Sequence, residues 1–157
     1  MNLVEKHFTE IRNSVKLKEN REVTFSLLEK AFLETIGHKL FTILKFDERK
    51  FTLERIFTNK PYEYPLLGIK NLKKSFWQKS VFEEGETYIG YNSKDIKSSF
   101  PDYELIFNLG CESVMNIPVF QNNLIKGSVN LLHKKNWYTK SHIQSAKILT
   151  SLVKDLI

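Results

Sequence analysis

At 157 residues, with 41% hydrophobic and 13% aromatic side chains, the chain is about one domain long and apolar enough to close a single core, which excludes a disordered or low-complexity polypeptide. The lone cysteine, Cys111, excludes an internal disulfide, no apolar run approaches the roughly 18–20 residues of a bilayer span, and the N-terminus lacks a secretory apolar segment, so a soluble protein of the reducing cytoplasm is expected. The net charge of +6 lies entirely in residues 37–157, which hold 18 basic and 12 acidic side chains.

Residues 1–36 read as helix. Leu3/Val4, Phe8, Ile11 and Val15 recur at three- and four-residue steps, and Val23, Leu27/Leu28, Ala31/Phe32 and Ile36 repeat them. Asn20 interrupts the two runs, and Gly37 supplies a stop. Leu40–Phe46 and Phe51–Thr58, joined by Asp47–Lys50, predict a β-hairpin. A proline- and tyrosine-marked excursion over Asn59–Gly68 follows, then a short helix around Leu72–Ser80 that carries Trp77, and a brief strand at Thr87–Ile89. Ser99 and Asp102 have the spacing of a capping box for a helix ending at Gly110, with an anion site conceivable at the backbone N–H groups after Ser99, opposed by Asp102. A second hairpin, Ser113–Phe120 (SVMNIPVF) and Ile125–Leu132 (IKGSVNLL), leads to a helix over Ser141–Ile157. The order predicts an α+β fold with a central antiparallel sheet. The terminal helices pack together on one face, and loops and short helices cover a pocket on the other. Residues 1–157 form a single domain: a helical segment at 1–36, sheet and pocket elements at 37–140, and the C-terminal helix at 141–157.

Asn116 and Asn130 interrupt otherwise apolar strands, and a buried amide without partners costs about 1–3 kcal/mol. They belong either to an internal polar network or to the wall of a cavity. A three-residue loop, Gln121–Asn123 with Asn123 left-handed, pairs Phe120 with Leu124, Val114 with Asn130 and Asn116 with Ser128. That register puts Glu112, Asn116, Ser128 and Asn130 on one face and Met115, Ile117, Val119, Ile125, Val129 and Leu131 on the other. A two-residue loop separates the asparagines.

From Gly37 to Ile157 the chain resembles a GAF domain, specifically the small free-standing bacterial members of that PAS-related fold. The resemblance is carried by Leu109–Val119 (LGCESVMNIPV) followed by Ile125–Leu132, with an apolar-Pro-apolar strand end, a tight turn and apolar-x-Gly-x-apolar. Arg55–Thr58 (RIFT), Tyr62, Tyr64-Pro65, Gly68, Lys70, Trp77, and His133 with Trp137–Thr139 add to it. It implies a sheet with a small-molecule pocket beneath covering loops, and homodimer formation through the terminal helices. Fold alone selects no ligand.

The expected pocket residues are Asn116 and Asn130 for paired amide hydrogen bonds, Ser128 as an auxiliary donor, Trp77 as a stacking wall, Tyr62 and Tyr64 closing the loop side, and Arg55 as the cation for a carboxylate or phosphate. The reading is a sensory domain that holds a polar planar or anionic metabolite and signals through a protein partner or a dimer interface. The cofactor is unknown, and no catalytic or metal-binding pattern stands out. His133 lies nearest a pocket edge, but the register assigns it to the apolar face. The alternatives are an enzyme related to free methionine-(R)-sulfoxide reductases, for which Cys111 lacks a resolving partner, and a ligand-free interaction or dimerisation module. Lys60, Lys70, Lys73, Lys74 and Lys79, opposed by Glu63, form a basic patch without a nucleic-acid recognition motif, which argues against nucleic acid and leaves an acidic small molecule or partner.

Overall fold

The computed structural model describes residues 1–66 and 68–157; Leu67, within the excursion, lies outside the described residues. Helix α1 (Leu3–Lys16) opens with a capping box in which the Asn2 side chain accepts from the Glu5 N–H and the Glu5 carboxylate accepts from the Asn2 N–H. Asn20 caps α2 (Arg21–Thr35) in turn. The helix ends where Gly37, at φ +100°, donates its N–H to Phe32 O, a conformation that favours glycine.

The sheet comprises β1 (Leu40–Asp47), β2 (Thr52–Thr58), β3 (Ile69–Asn71), β4 (Tyr88–Gly90), β5 (Ser113–Gln121) and β6 (Leu124–His133), in the order β3-β2-β1-β6-β5-β4 with every pairing antiparallel. Both faces are covered, so the central strands bury alternate side chains into two separate cores. Phe41, Ile43, Met115, Ile117, Val129 and Leu131 meet Ile11 of α1, Phe25, Leu28 and Phe32 of α2, and Ala146 and Leu149 of α6 (Ile143–Thr150). Leu40, Leu44, Leu53, Val114 and Leu132 meet the covering layer on the other side. That layer holds α3 (Phe76–Gln78), a π-helical turn at Lys79–Glu83, α4 (Ser93–Ser99) and α5 (Tyr103–Asn108).

Three helical expectations are corrected. Ser99 closes α4, whose start is capped by Asn92, and its hydroxyl bonds Tyr88 Oη at 2.9 Å, so it begins no helix and frames no anion site. Asp102 precedes α5 without capping it, because its carboxylate accepts from Tyr64 Oη at 2.6 Å. The C-terminal α-helix spans only Ile143–Thr150; Val153–Asp155 continues as a tighter 3₁₀ turn.

The last hairpin is also corrected, and the correction decides the site. Its loop is the two-residue turn Asn122-Asn123, both left-handed at φ 53° and 63°, flanked by Gln121 opposite Leu124. A bulge then leaves Lys126 unpaired between Ile125, opposite Phe120, and Gly127, opposite Val119. The extra residue shifts the pairing by one more step, so Asn116 lies directly opposite Asn130 and Ser128 opposite Pro118. The asparagines share a face despite the two-residue loop.

Gly127 makes this crossing possible. A Cβ there collides with the Leu44 carbonyl oxygen and reaches 2.6 Å from Ile157 Cδ1, so β1 and β6 pair closely only because no side chain intervenes. Gly127→Ala is therefore expected to destabilise the domain by about 1–3 kcal/mol, the range for overpacking a filled interior. Urea denaturation checks it through a lower midpoint at unchanged slope.

Candidate functional site

Cross-strand pairing aligns Thr42 of β1, Asn130 of β6, Asn116 of β5 and Tyr88 of β4 in one row across the sheet. All four side chains lie on the face turned to the covering layer. Asn130, 3% exposed, donates through Nδ2 to Thr42 Oγ1 at 3.2 Å and to the Thr42 and Ser128 carbonyls at 3.4 Å. Carbonyl oxygens only accept, so these contacts fix the amide orientation and turn Asn130 Oδ1 toward Asn116. Asn130 Oδ1 accepts from Asn116 Nδ2 at 2.7 Å and from Ser128 Oγ at 3.0 Å. Asn116 Oδ1 then remains, buried and without a partner among the described residues, although Asn116 is only 2% exposed.

Thr42, Asn130 and Asn116 of this row lie in the floor of a cavity of about 50 Å³ between sheet and covering layer. Leu40, Leu44, Val114 and Leu132 make the floor otherwise apolar, while Trp77, Phe100 and Ile106 form the roof. Trp77 and Phe100 lie with ring centroids 5.2 Å apart at 30°, and Phe82 packs edge-on to Trp77 at 5.6 Å. Arg55, Lys70 and Asp102 supply the charged side, with the Tyr64 phenol among them.

Arg55 reaches this side because of a second bulge. Phe57 pairs with Ile43 and Arg55 with Leu44, leaving Ile56 extra. Phe57 consequently packs in the helical core while Arg55, two residues earlier, faces the cavity. The guanidinium lies 4.9 Å over the Tyr64 ring and donates through Nη1 to Pro65 O at 2.9 Å; its Nε is buried without a partner among the described residues. Burial pulls its pKa below the ordinary value, against the opposing fields of Tyr64 and Asp102. An arginine remains protonated even so. Among the described residues Arg55 forms no ion pair within 4 Å. Lys70 is exposed as a residue yet lines the cavity, and desolvation there lowers its pKa, opposed by Asp102 and reinforced by Arg55. Tyr64 is shifted well above its usual range, by burial first and then by the Asp102 carboxylate it bonds.

Asn116, Asn130, Arg55, Trp77 and Tyr64 are thus brought to one cavity. Ser128 and Tyr62 are not. The Ser128 hydroxyl is spent on Asn130, so it buttresses the amide pair rather than the cavity wall. Tyr62, 94% exposed, does not line the cavity whose loop side it was expected to close. His133 pairs with Ser113 and stacks on Trp137 at 4.1 Å, outside the cavity. The sequence reading missed Asp102 as a wall residue because its spacing after Ser99 imitates a cap. It missed Thr42 because a threonine in a strand carries no special signal. Among the described residues, no group of acidic, histidine or cysteine side chains could hold a metal ion.

No protein-family model matches the sequence, and no curated protein matches it. Solved structures do. A GAF domain from an Acinetobacter phosphoenolpyruvate-protein phosphotransferase superposes with a TM-score of 0.77 at 10% identity, over 99% of this chain and 93% of that one. The GAF domain of a two-component sensor histidine kinase from Bacillus halodurans gives 0.69 at 13% identity, over 85% and 90%. The fold is that of a GAF domain. A free methionine-R-sulfoxide reductase from Neisseria meningitidis, solved with its substrate, shares it at a TM-score of 0.67 and 9% identity, over 98% and 85%. At such identities the likeness carries the fold and leaves chemistry to the residues present.

In this GAF fold Cys111 is fully buried beside α5, with Sγ 4.0 Å from Leu109 O, and burial pushes its thiol up to about 11. A thiol so buried and so weakly acidic packs as a small apolar group. Cys111 is accordingly expected to resist a disulfide reagent at pH 8 in the folded protein and to react once denatured. A thiol titration with and without guanidinium checks this.

Proposed function

We propose that this protein is a small-molecule-binding sensory domain of the cytoplasm, holding a polar or anionic metabolite in the Asn116/Asn130 cavity and signalling through a homodimer or a protein partner. The observation that carries the reading is Asn116 Oδ1, buried and without a partner among the described residues, on a side chain that lines a cavity shared with Arg55. Leaving such a buried acceptor unpaired costs about 1–3 kcal/mol, and an occupant with a donor recovers that cost. The GAF domain found in a sensor histidine kinase supports a sensory role for the fold. Among the described residues, no helix is long and apolar enough to cross a membrane.

Strands β5 and β6 offer a mechanical route. Asn116 and Asn130 face the cavity, while their neighbours Met115, Ile117, Val129 and Leu131 pack against the terminal helices. An occupant that displaces either strand changes the packing beneath α1, α2 and α6. On the helical segments Val23, Leu33 and Ile148 are exposed, which suits a symmetric helical contact between two copies.

A ligand-free interaction module is favoured by one observation, the small volume of the cavity. A thermal-shift panel of nucleobases, nucleotides, amino acids and small oxyanions separates the readings. A ligand present at 100 times its dissociation constant stabilises the fold by about 2.7 kcal/mol. Asn116→Leu and Asn130→Leu are expected to abolish that shift while remaining folded, and bound ligand is expected to alter the oligomeric state or the hydrogen exchange of α1, α2 and α6. Absence of any shift across the panel would favour the interaction module.

A further inference from the structure

Two residues that line this one cavity each carry a buried polar atom without a partner among the described residues: an acceptor, Asn116 Oδ1, and a donor, Arg55 Nε. They come from different strands, β5 and β2, and the chemistry they lack is opposite in kind. An occupant that satisfies both must donate at one end and accept, with negative charge, at the other.

Charge and size narrow the class. The walls carry two cations, Arg55 and Lys70, and one carboxylate, Asp102, which already accepts from Tyr64 Oη at 2.6 Å. The balance of one positive charge matches a monoanion. Apart from Asn130 and Thr42 the floor around Asn116 is apolar, with Val114, Leu40 and Leu132 in it, and no carboxylate stands among the strand residues that line the cavity. An ammonium placed there has no anion to neutralise it, whereas a hydroxyl donates to Asn116 Oδ1 without carrying charge into that region. A volume of about 50 Å³ holds roughly three to five non-hydrogen atoms, since one water needs about 10–15 Å³ of such space. A nucleobase, a cyclic nucleotide or a tetrapyrrole does not fit without moving Trp77 and Phe100.

Resting on the sensory reading above, we infer that the cavity takes a small monoanion that bears its own neutral hydrogen-bond donor, with the donor directed at Asn116 Oδ1 and the anionic end at Arg55 and Lys70. Glycolate is the simplest carboxylate of this kind and bicarbonate the simplest inorganic oxyanion. Acetate and nitrate are of similar size and charge but have no donor. Glycine carries a charged donor in place of the neutral one.

Isothermal titration calorimetry of the intact chain at pH 8 with glycolate, bicarbonate, acetate, nitrate and glycine tests the inference. Glycolate, bicarbonate or both are expected to bind at least about tenfold more tightly than acetate and nitrate, the factor that corresponds to one buried hydrogen bond. Glycine is expected to bind more weakly than glycolate. Asn116→Leu should erase the preference for glycolate over acetate, and Arg55→Gln should weaken both alike. The comparison within the unmodified protein stands even if a variant fails to fold. Equal affinity for glycolate and acetate, or tighter binding of glycine, overturns the inference. Silence of all five probes, alongside a shift from another member of the wider panel, overturns it while leaving the sensory reading intact. Silence of both sets removes the two together.

Discussion

A sheet buried on both faces tolerates no odd slip between neighbouring strands, and that constraint governs this domain. Moving β6 by one residue against β5 would turn Val129 and Leu131 away from the helices and drive Ser128 and Asn130 among Phe25, Phe32 and Leu149. The turn Asn122-Asn123 alone produces that odd slip. Lys126 cancels it, as an unpaired residue on the exposed end of the hairpin, where its side chain need not be buried. The bond from Asn116 Nδ2 to Asn130 Oδ1 then rewards only the corrected alignment. A buried polar pair of this sort contributes more to choosing one register than to net stability, because every shifted arrangement strands two amides.

The same device recurs on β2. Without the bulge at Ile56, Arg55 would share a face with Phe57 and point its guanidinium into the helical core. With it, the cation faces the polar row, where Tyr64 covers it and Pro65 accepts one of its donors. Two single-residue irregularities in an otherwise regular sheet therefore assemble the cavity chemistry. Neither alters the order of the strands, so the GAF architecture is retained while its interior is set by local defects.

What was legible in the sequence follows from this. Alternation reports faces, so the sheet covered on both sides, its helical side and the shared face of Asn116 and Asn130 could be read directly. Alternation is blind to a shift of two residues, since parity survives it. The pairing of Asn116 with Ser128 was therefore an available error, and the observed partner is Asn130. The bulge at Lys126 has no glycine or proline on the unpaired residue itself to announce it. Tyr62 and Tyr64 show a different limit: they alternate as they would in a strand, but they lie in a turn, where period says nothing about direction. Tyr64 is buried by its bond to Asp102, a contact across 38 positions of sequence that no local pattern encodes.

The small interior volume bears on how such a domain would signal. A large ligand supplies binding energy over a broad surface and can pull a covering loop shut. A monoanion of four or five atoms has few contacts, and its leverage lies in satisfying groups that are strained by being left alone. Asn116 Oδ1 and Arg55 Nε are such groups, and they sit on β5 and β2, toward opposite ends of the strand order with β1 and β6 between them. An occupant bonded to both would tie β5 to β2 across the central pair whose reverse faces support α1, α2 and α6. Ligand affinity and helix packing would then be linked through sheet curvature rather than through any single side chain. A device of that kind requires the central strands to be unable to re-register, which is the property that Asn116, Asn130 and the bulge at Lys126 provide.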